Sequence, residues 1–233
     1  DKGTMYQQYT VRARRVMQQK YKVLKNFVSM KKKSVILFLP GNYDMDLKYT
    51  ALHDHDLHLH WYTIGEMRVC GYGGAEVRTP GIPERYIVRY LAGTPSRQAR
   101  KNGKKNEMYS FFRVVKPHII VAHQPAYGIN DNTTAGGAYG STSLRSYCDD
   151  NPVLLCLTGH AHDSWGVRLK ERTLYLNPSN FGQVTGPTGE VSEGGFFYQI
   201  EVDREAVRSL TFRKYFDGRV YDIADYIVEG GSL

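Results

Sequence analysis

Three short apolar runs in this 233-residue chain end in loops that carry side chains able to ligate a metal. Ser34–Pro40 runs into Gly41-Asn42-Tyr43-Asp44, His118–Ala122 into His123, and Val153–Thr158 into Gly159-His160-Ala161-His162. Imidazole nitrogen together with carboxamide or carboxylate oxygen suits divalent first-row metals of intermediate hardness: Zn, Mn, Fe, Co or Ni. A lone histidine after a strand says little. Three strand ends bearing Asn42, Asp44, His123, His160 and His162 say more, because ligands of open α/β sheets bind at the carboxyl ends of the strands. One residue separates His160 from His162. On an extended segment both would face one side, whereas a turn led by Gly159 lets them splay toward two ions.

The elements that must position these loops follow from hydrophobic periodicity. Thr4 to Met30 reads as one helix, with Met5, Tyr9, Val16, Val23, Leu24, Phe27 and Val28 on a helical stripe and no Gly or Pro inside. The three apolar runs have the length and continuity of strands buried on both faces. Asp56–Thr63 and Met67–Gly71 read as two strands around a turn at Ile64-Gly65-Glu66. Helices are predicted over Glu84–Leu91, over Glu107–Val115 (stopped by Pro117), and over Ser141–Cys148 with a hydroxyl N-cap. Tyr72–Pro83 and the basic segment Thr94–Lys105 read as loop, and His123–Gly140 is long enough to be functional. Trp165–Leu169, Thr173–Leu176, Phe196–Val202 and Val207–Tyr215 are further strands, and no core pattern is legible from Phe216 onward. Helix–strand alternation followed by adjacent strands predicts an α/β layered sandwich with two central sheets in one domain.

Composition narrows the classes. Hydrophobic residues make up 41% and charged residues 23%, so disordered and fibrous chains are excluded. No apolar run approaches the ~20 residues of a membrane helix, which excludes a helical spanning protein. Cys70, Cys148 and Cys156 cannot all pair and form no C-x-x-C motif, so a reducing, cytoplasmic setting is expected. The net charge of +8 is concentrated near the start and in Arg97–Lys105. It is consistent with solvated faces or with a phosphate-rich partner such as nucleic acid.

Taken in order, the three ligand segments resemble the calcineurin-like metallophosphoesterase family. That family carries Asp-x-His, Gly-Asp, Gly-Asn-His-Asp, a single His after a strand, and Gly-His-x-His. Gly71-Tyr72-Gly73-Gly74 and Asn177-Pro178 are further echoes, and the likeness covers roughly residues 1 to 200. The resemblance implies an α/β fold, a two-sheet β-sandwich flanked by helices in four α/β/β/α layers. One such domain would span residues 1–215, with a C-terminal tail over 216–233. It also implies that Asn42, His123 and His160 hold one metal and that His162 belongs to a second. The implied reaction is hydrolysis of a phosphate mono- or diester by metal-bound hydroxide. Two cations ~3.5–4 Å apart neutralise the phosphoryl oxygens and lower the pKa of a bridging water.

Two departures bear on activity. The Asp-x-His and Gly-Asp segments are missing, and Asp1-Lys2-Gly3 resembles the tail of the latter, so the expectation is a longer protein with a first strand and ligands upstream. Asp56-Leu57-His58, within the run His53–His60, spells Asp-x-His but in the wrong order, and it reads as a decoy. Tyr43 stands where the family has its general-acid His, with Asp44 at the position that orients it. A phenol ordinarily ionises near pH 10, so it donates a hydrogen bond but shuttles protons less well at pH 7. The competing readings are a weak or inactive scaffold on the same fold that mediates protein contacts, and a nuclease-like member. Tyr72, Tyr127, Asn130 and Phe181 are candidates for an aromatic-walled pocket.

Overall fold

A computed structural model describes residues 2–31, 33–75, 107–132, 137, 139–186 and 189–227. The expected helix over Glu84–Leu91 and the basic segment Thr94–Lys105 lie outside the described residues.

The centre is a six-stranded sheet built from β1 (Trp61–Ile64), β2 (Met67–Tyr72), β3 (Ile119–Ala122), β4 (Leu155–Leu157), β5 (Gly166–Lys170) and β6 (Thr173–Asn177), in the order β1-β2-β3-β4-β6-β5. The pairs β2–β3, β3–β4 and β4–β6 are parallel; β1 and β5 are antiparallel edges. The parallel core explains why the middle strands read as unbroken apolar runs: both faces are covered. Side chains alternate between two cores with the period of two that a strand imposes. Val69, Ile119, Leu155, Leu174 and Leu176 point to one side, and Cys70, Tyr72, Ile120, Ala122, Cys156 and Tyr175 to the other.

On the second side lie α2 (Glu107–Val115) and α3 (Thr142–Asp150), which bury Met108, Phe112, Leu144 and Tyr147. The α3 N-cap is Ser141, whose hydroxyl accepts from the Leu144 N–H. On the first side lies a three-stranded antiparallel sheet of β9 (Phe196–Val202), β10 (Val207–Phe216) and β11 (Arg219–Tyr226), whose Val207 and Leu210 join the shared core. A two-stranded ribbon, β7 (Val184–Thr185) with β8 (Val191–Ser192), completes the strands. Among the described residues the layering is therefore helix, sheet, sheet, with the two central sheets that the sequence pattern predicts.

Three differences from the sequence reading stand out. The run Ser34–Pro40 forms no regular strand. It is extended and only half-buried, and it bridges Asp56 through Phe38, with Phe38 N–H to His55 O at 2.7 Å and Leu57 N–H to Phe38 O at 2.8 Å. Its apolarity serves a small cluster with Tyr21, Leu47 and Leu52 instead. Helix α1 (Lys2–Ser29) forms as predicted, but its packed side is Thr10, Met17, Tyr21 and Val28, while Met5, Tyr9, Val23 and Phe27 are exposed. The segment after Phe216 carries β11, paired with β10 through Tyr226–Leu210 and Arg219–Phe216. Six of its eight residues are exposed, which is why no core pattern marked it. Among the described residues no helix is long and apolar enough to cross a membrane.

Candidate metal centre

The carboxyl ends of β2, β3, β4 and β6 line up, and backbone bonds carry the alignment past the strands themselves. His123 N–H donates to Tyr72 O at 3.2 Å, Gly159 N–H to His123 O at 3.1 Å, and Thr158 N–H to Leu176 O at 2.8 Å. His123 is thereby clamped between the end of β2 and Gly159, one residue from His160. The rings of His123 and His160 meet edge to face with centroids 5.0 Å apart.

Asn42 arrives from another direction. Gly74 N–H donates to Pro40 O at 2.8 Å, which seats the 40–44 turn against the end of β2. A Cβ on Gly73 would lie 2.6 Å from that same carbonyl oxygen, so the approach requires glycine. The turn is closed by Asp44, which accepts the Gly41 N–H at 2.7 Å through Oδ2 and the Tyr21 hydroxyl at 3.0 Å through Oδ1. The Tyr21 oxygen in turn accepts from Met45 N–H at 3.0 Å. Asn42 is buried inside this turn, and its Oδ1 lies 3.0 Å from His123 Nε2. The geometry thus brings Asn42, His123 and His160 together from three loops separated by up to 118 residues of chain.

The electrostatics favour neutral rings. Burial, reinforced by the charges of His160 and His162, holds His123 down to about 3, and burial followed by the His162 charge lowers His160. Both imidazoles therefore keep a lone pair at neutral pH, the form that ligates metals. His160 sits in the left-handed region at φ 67°, a conformation that costs a non-glycine residue on the order of 1 kcal/mol and clusters at functional sites. The loop holding it is anchored by Asn177, fully buried, whose Nδ2 donates to Ala161 O at 2.8 Å and Ser164 O at 3.1 Å. His162 is exposed, and its carbonyl accepts the Ser179 hydroxyl at 2.7 Å.

The other sequence candidates separate. Tyr43 is exposed, and Asp44 spends its carboxylate on Gly41 and Tyr21, so its evident work is to shape the turn. The run His53–His60 has its ring nitrogens elsewhere. His55 Nδ1 lies 2.9 Å from Ile36 O, His53 Nδ1 pairs with Asp54 at 2.9 Å, and buried His58 accepts from Gly73 N–H at 3.0 Å. Among the described residues no group of three or more His, Cys, Asp or Glu side chains is placed to hold a metal. The Asn42 oxygen is therefore an essential part of the candidate donor set. Tyr72 belongs to the core and donates to Glu107 at 2.6 Å, so it does not wall the pocket. The cavity that reaches His123, about 310 Å³, takes its aromatic lining from Phe197 and Tyr198, while Tyr127 and Phe181 lie outside that lining. Sequence reasoning missed Tyr21. Its position on a helix gives no hint that its hydroxyl braces the turn 23 residues on.

Comparison with known proteins identifies the family. The model of the calcineurin-like phosphoesterase family matches residues 9–164. No curated protein matches. One solved crystal structure, 15% identical, superposes with a TM-score of 0.54 over 94% of this chain and 75% of the other, a likeness of fold. Another, "GAP50 the anchor in the inner membrane complex of Plasmodium", is also 15% identical, with a TM-score of 0.38 over 72% of this chain and 52% of the other. The family is generally one of metal-dependent phosphoester hydrolases. With two thirds of its length matched by the family model, this chain belongs to the calcineurin-like phosphoesterase family.

Proposed function

We propose that the chain hydrolyses a phosphate mono- or diester with a divalent cation held by Asn42, His123 and His160. The observation that carries this reading is the 3.0 Å approach of His123 Nε2 to Asn42 Oδ1 beside the His160 ring. Two neutral imidazoles and a carboxamide oxygen match the donor preferences of Zn, Mn, Fe, Co or Ni. The set fits one ion, with His162 the available donor toward a second. When bound, such a cation draws charge from the phosphoryl oxygens and acidifies a ligated water.

The chain's own residues have distinct tasks. His123, clamped by backbone bonds on both sides, holds its ring in place toward Asn42. Asp44 and Tyr21 hold the turn so that Asn42 faces inward. In this reading Tyr43, next to Asn42 in the chain, would donate a hydrogen bond to a leaving oxygen rather than transfer a proton freely, which favours substrates with good leaving groups.

Metal titration and hydrolysis of bis(p-nitrophenyl) phosphate test the reading. Asn42→Ala, His123→Ala and His160→Ala should each weaken Mn²⁺ binding and reduce turnover at least about tenfold. Metal binding unchanged in all three variants would overturn it. A second reading, a scaffold on the same fold, draws support from Tyr43 and from the absence of a three-member His/Cys/Asp/Glu group among the described residues. Failure of the wild-type chain to bind Mn²⁺ or Zn²⁺ at millimolar concentration would favour it.

A further inference from the structure

His118 immediately precedes β3 and His123 immediately follows it, so the two mark opposite ends of the sheet. Two cavities share His118 at this far end, of about 580 and 370 Å³. The larger is also lined by Arg208, which is paired with Asp203 at 2.5 Å and Glu205 at 3.7 Å, so part of its positive charge is answered. Among the described residues the smaller has no carboxylate in its lining. Arg68, Arg113 and Lys116 surround it with His118, between the rigid walls of Pro117 and Pro152.

We propose that this smaller cavity binds a small phosphorylated anion, at a site separate from the metal centre. Two of the polar groups, Arg68 and His118, are half-buried and held by hydrogen bonds. Arg68 donates through Nε and Nη2 to Lys116 O at 2.9 and 2.8 Å, which fixes its guanidinium plane against the cavity. The same two bonds occupy a carbonyl just beyond the C-terminus of α2, muting the negative end of that helix where it would repel an anion. His118 is held on both sides: its N–H donates to Arg68 O at 3.0 Å, and its Nδ1 accepts from Arg68 N–H at 3.0 Å. An Nδ1 that accepts leaves the proton of the neutral ring on Nε2, so His118 offers the cavity a donor. Arg113 and Lys116, both exposed, add two further positive charges to the lining. Burial, then the charges of Arg68 and Arg204, lowers the His118 pKa, consistent with positive potential converging there. A planar guanidinium, an ammonium and an imidazole N–H form the donor set that phosphate oxygens accept from. The volume suits a few phosphoryl groups rather than a nucleic-acid strand.

The test is titration of inorganic pyrophosphate into the full chain treated with EDTA, read by calorimetry and by the nitrogen resonances of His118. The expected result is saturable binding that moves the His118 signals and weakens about tenfold or more in Arg113→Gln/Lys116→Gln, whose side chains are exposed and whose loss leaves the Arg68 bonds intact. The melting temperature of that variant confirms its fold. His123→Ala should bind pyrophosphate as the wild type does, which separates this site from the metal centre. Equal binding by the double variant, binding that leaves His118 unmoved, or no binding at millimolar pyrophosphate would overturn the proposal. So would preference for a single-stranded oligonucleotide, which would make the cavity part of a nucleic-acid groove.

Discussion

Replacing Tyr21 by Phe removes one oxygen atom and two hydrogen bonds. The hydroxyl is buried, donates to Asp44 Oδ1 at 3.0 Å and accepts from Met45 N–H at 3.0 Å. Burial and the adjacent Asp44 charge push its pKa far up, so it remains a donor across the working pH range. A hydrogen bond to a carboxylate contributes roughly 1.5–3 kcal/mol, and an N–H left without an acceptor costs roughly 1–3 kcal/mol where water is excluded. The site is only partly closed to solvent at Asp44 and Met45, so the lower halves of both ranges apply, giving about 3 kcal/mol in total. Urea unfolding of Tyr21→Phe, Asp44→Ala and the double variant should show that loss, with a coupling of about 1–2 kcal/mol between the two positions. Because the same bonds shape the turn that presents Asn42, Mn²⁺ affinity should fall several-fold as well. A stability loss below about 0.5 kcal/mol, or no coupling, would refute the idea that α1 braces the ligand turn.

Two other outcomes follow from the geometry. Burial holds His58 down to about 4, against about 6.5 in an unfolded chain, so the unfolded state takes up the proton first as pH falls. Its contribution is complete above pH 6.5 and is lost between there and about pH 4. It amounts to about 3 kcal/mol at 1.36 kcal/mol per pH unit. His58→Asn should lose less stability than the wild type between pH 7 and pH 4 in urea titrations, and an unchanged loss would count against the assignment. Gly41→Ala places a Cβ 3.0 Å from His123 Cε1 and 3.2 Å from Asp44 Oδ2 at an ordinary backbone conformation. Metal affinity should drop about tenfold while stability falls by only about 1 kcal/mol, because a ring must shift by a few tenths of an ångström without backbone strain.

The sequence reveals elements wherever burial is periodic. Glu107–Val115 is legible residue for residue because Met108, Phe112 and Val115 face one core, and Pro117 ends the helix. Strands β3, β4 and β6 are legible because both of their faces are dry. Of the candidate centre, Asn42, His123 and His160 are singled out in the sequence by their place after apolar runs, and the fold brings the three loops to one end of the sheet. What escapes is anything decided by a neighbour distant in sequence. The run Ser34–Pro40 looks like a full strand, yet only Phe38 pairs, through one bridge. Strand β11 leaves no trace because backbone bonds to β10, not burial, hold it. The apolar stripe of α1 is visible, but which side meets protein is set by Leu47, Leu52 and Met45 across the contact. Tyr72 is a pocket candidate in the sequence, whereas strand alternation turns it into the core.

The bond between His123 and Asn42 joins positions 81 residues apart, and the His160 ring reaches them from a third stretch of chain. Closing loops of that size costs entropy before any contact repays it, so parallel pairing of β2, β3 and β4 must come first. The candidate pocket is therefore expected to form late in folding. A cation that recognises it selects the finished molecule alone, and the free energy of that recognition is added to the native state by mass action. Slow refolding should therefore be insensitive to added Mn²⁺, while unfolding should slow in its presence.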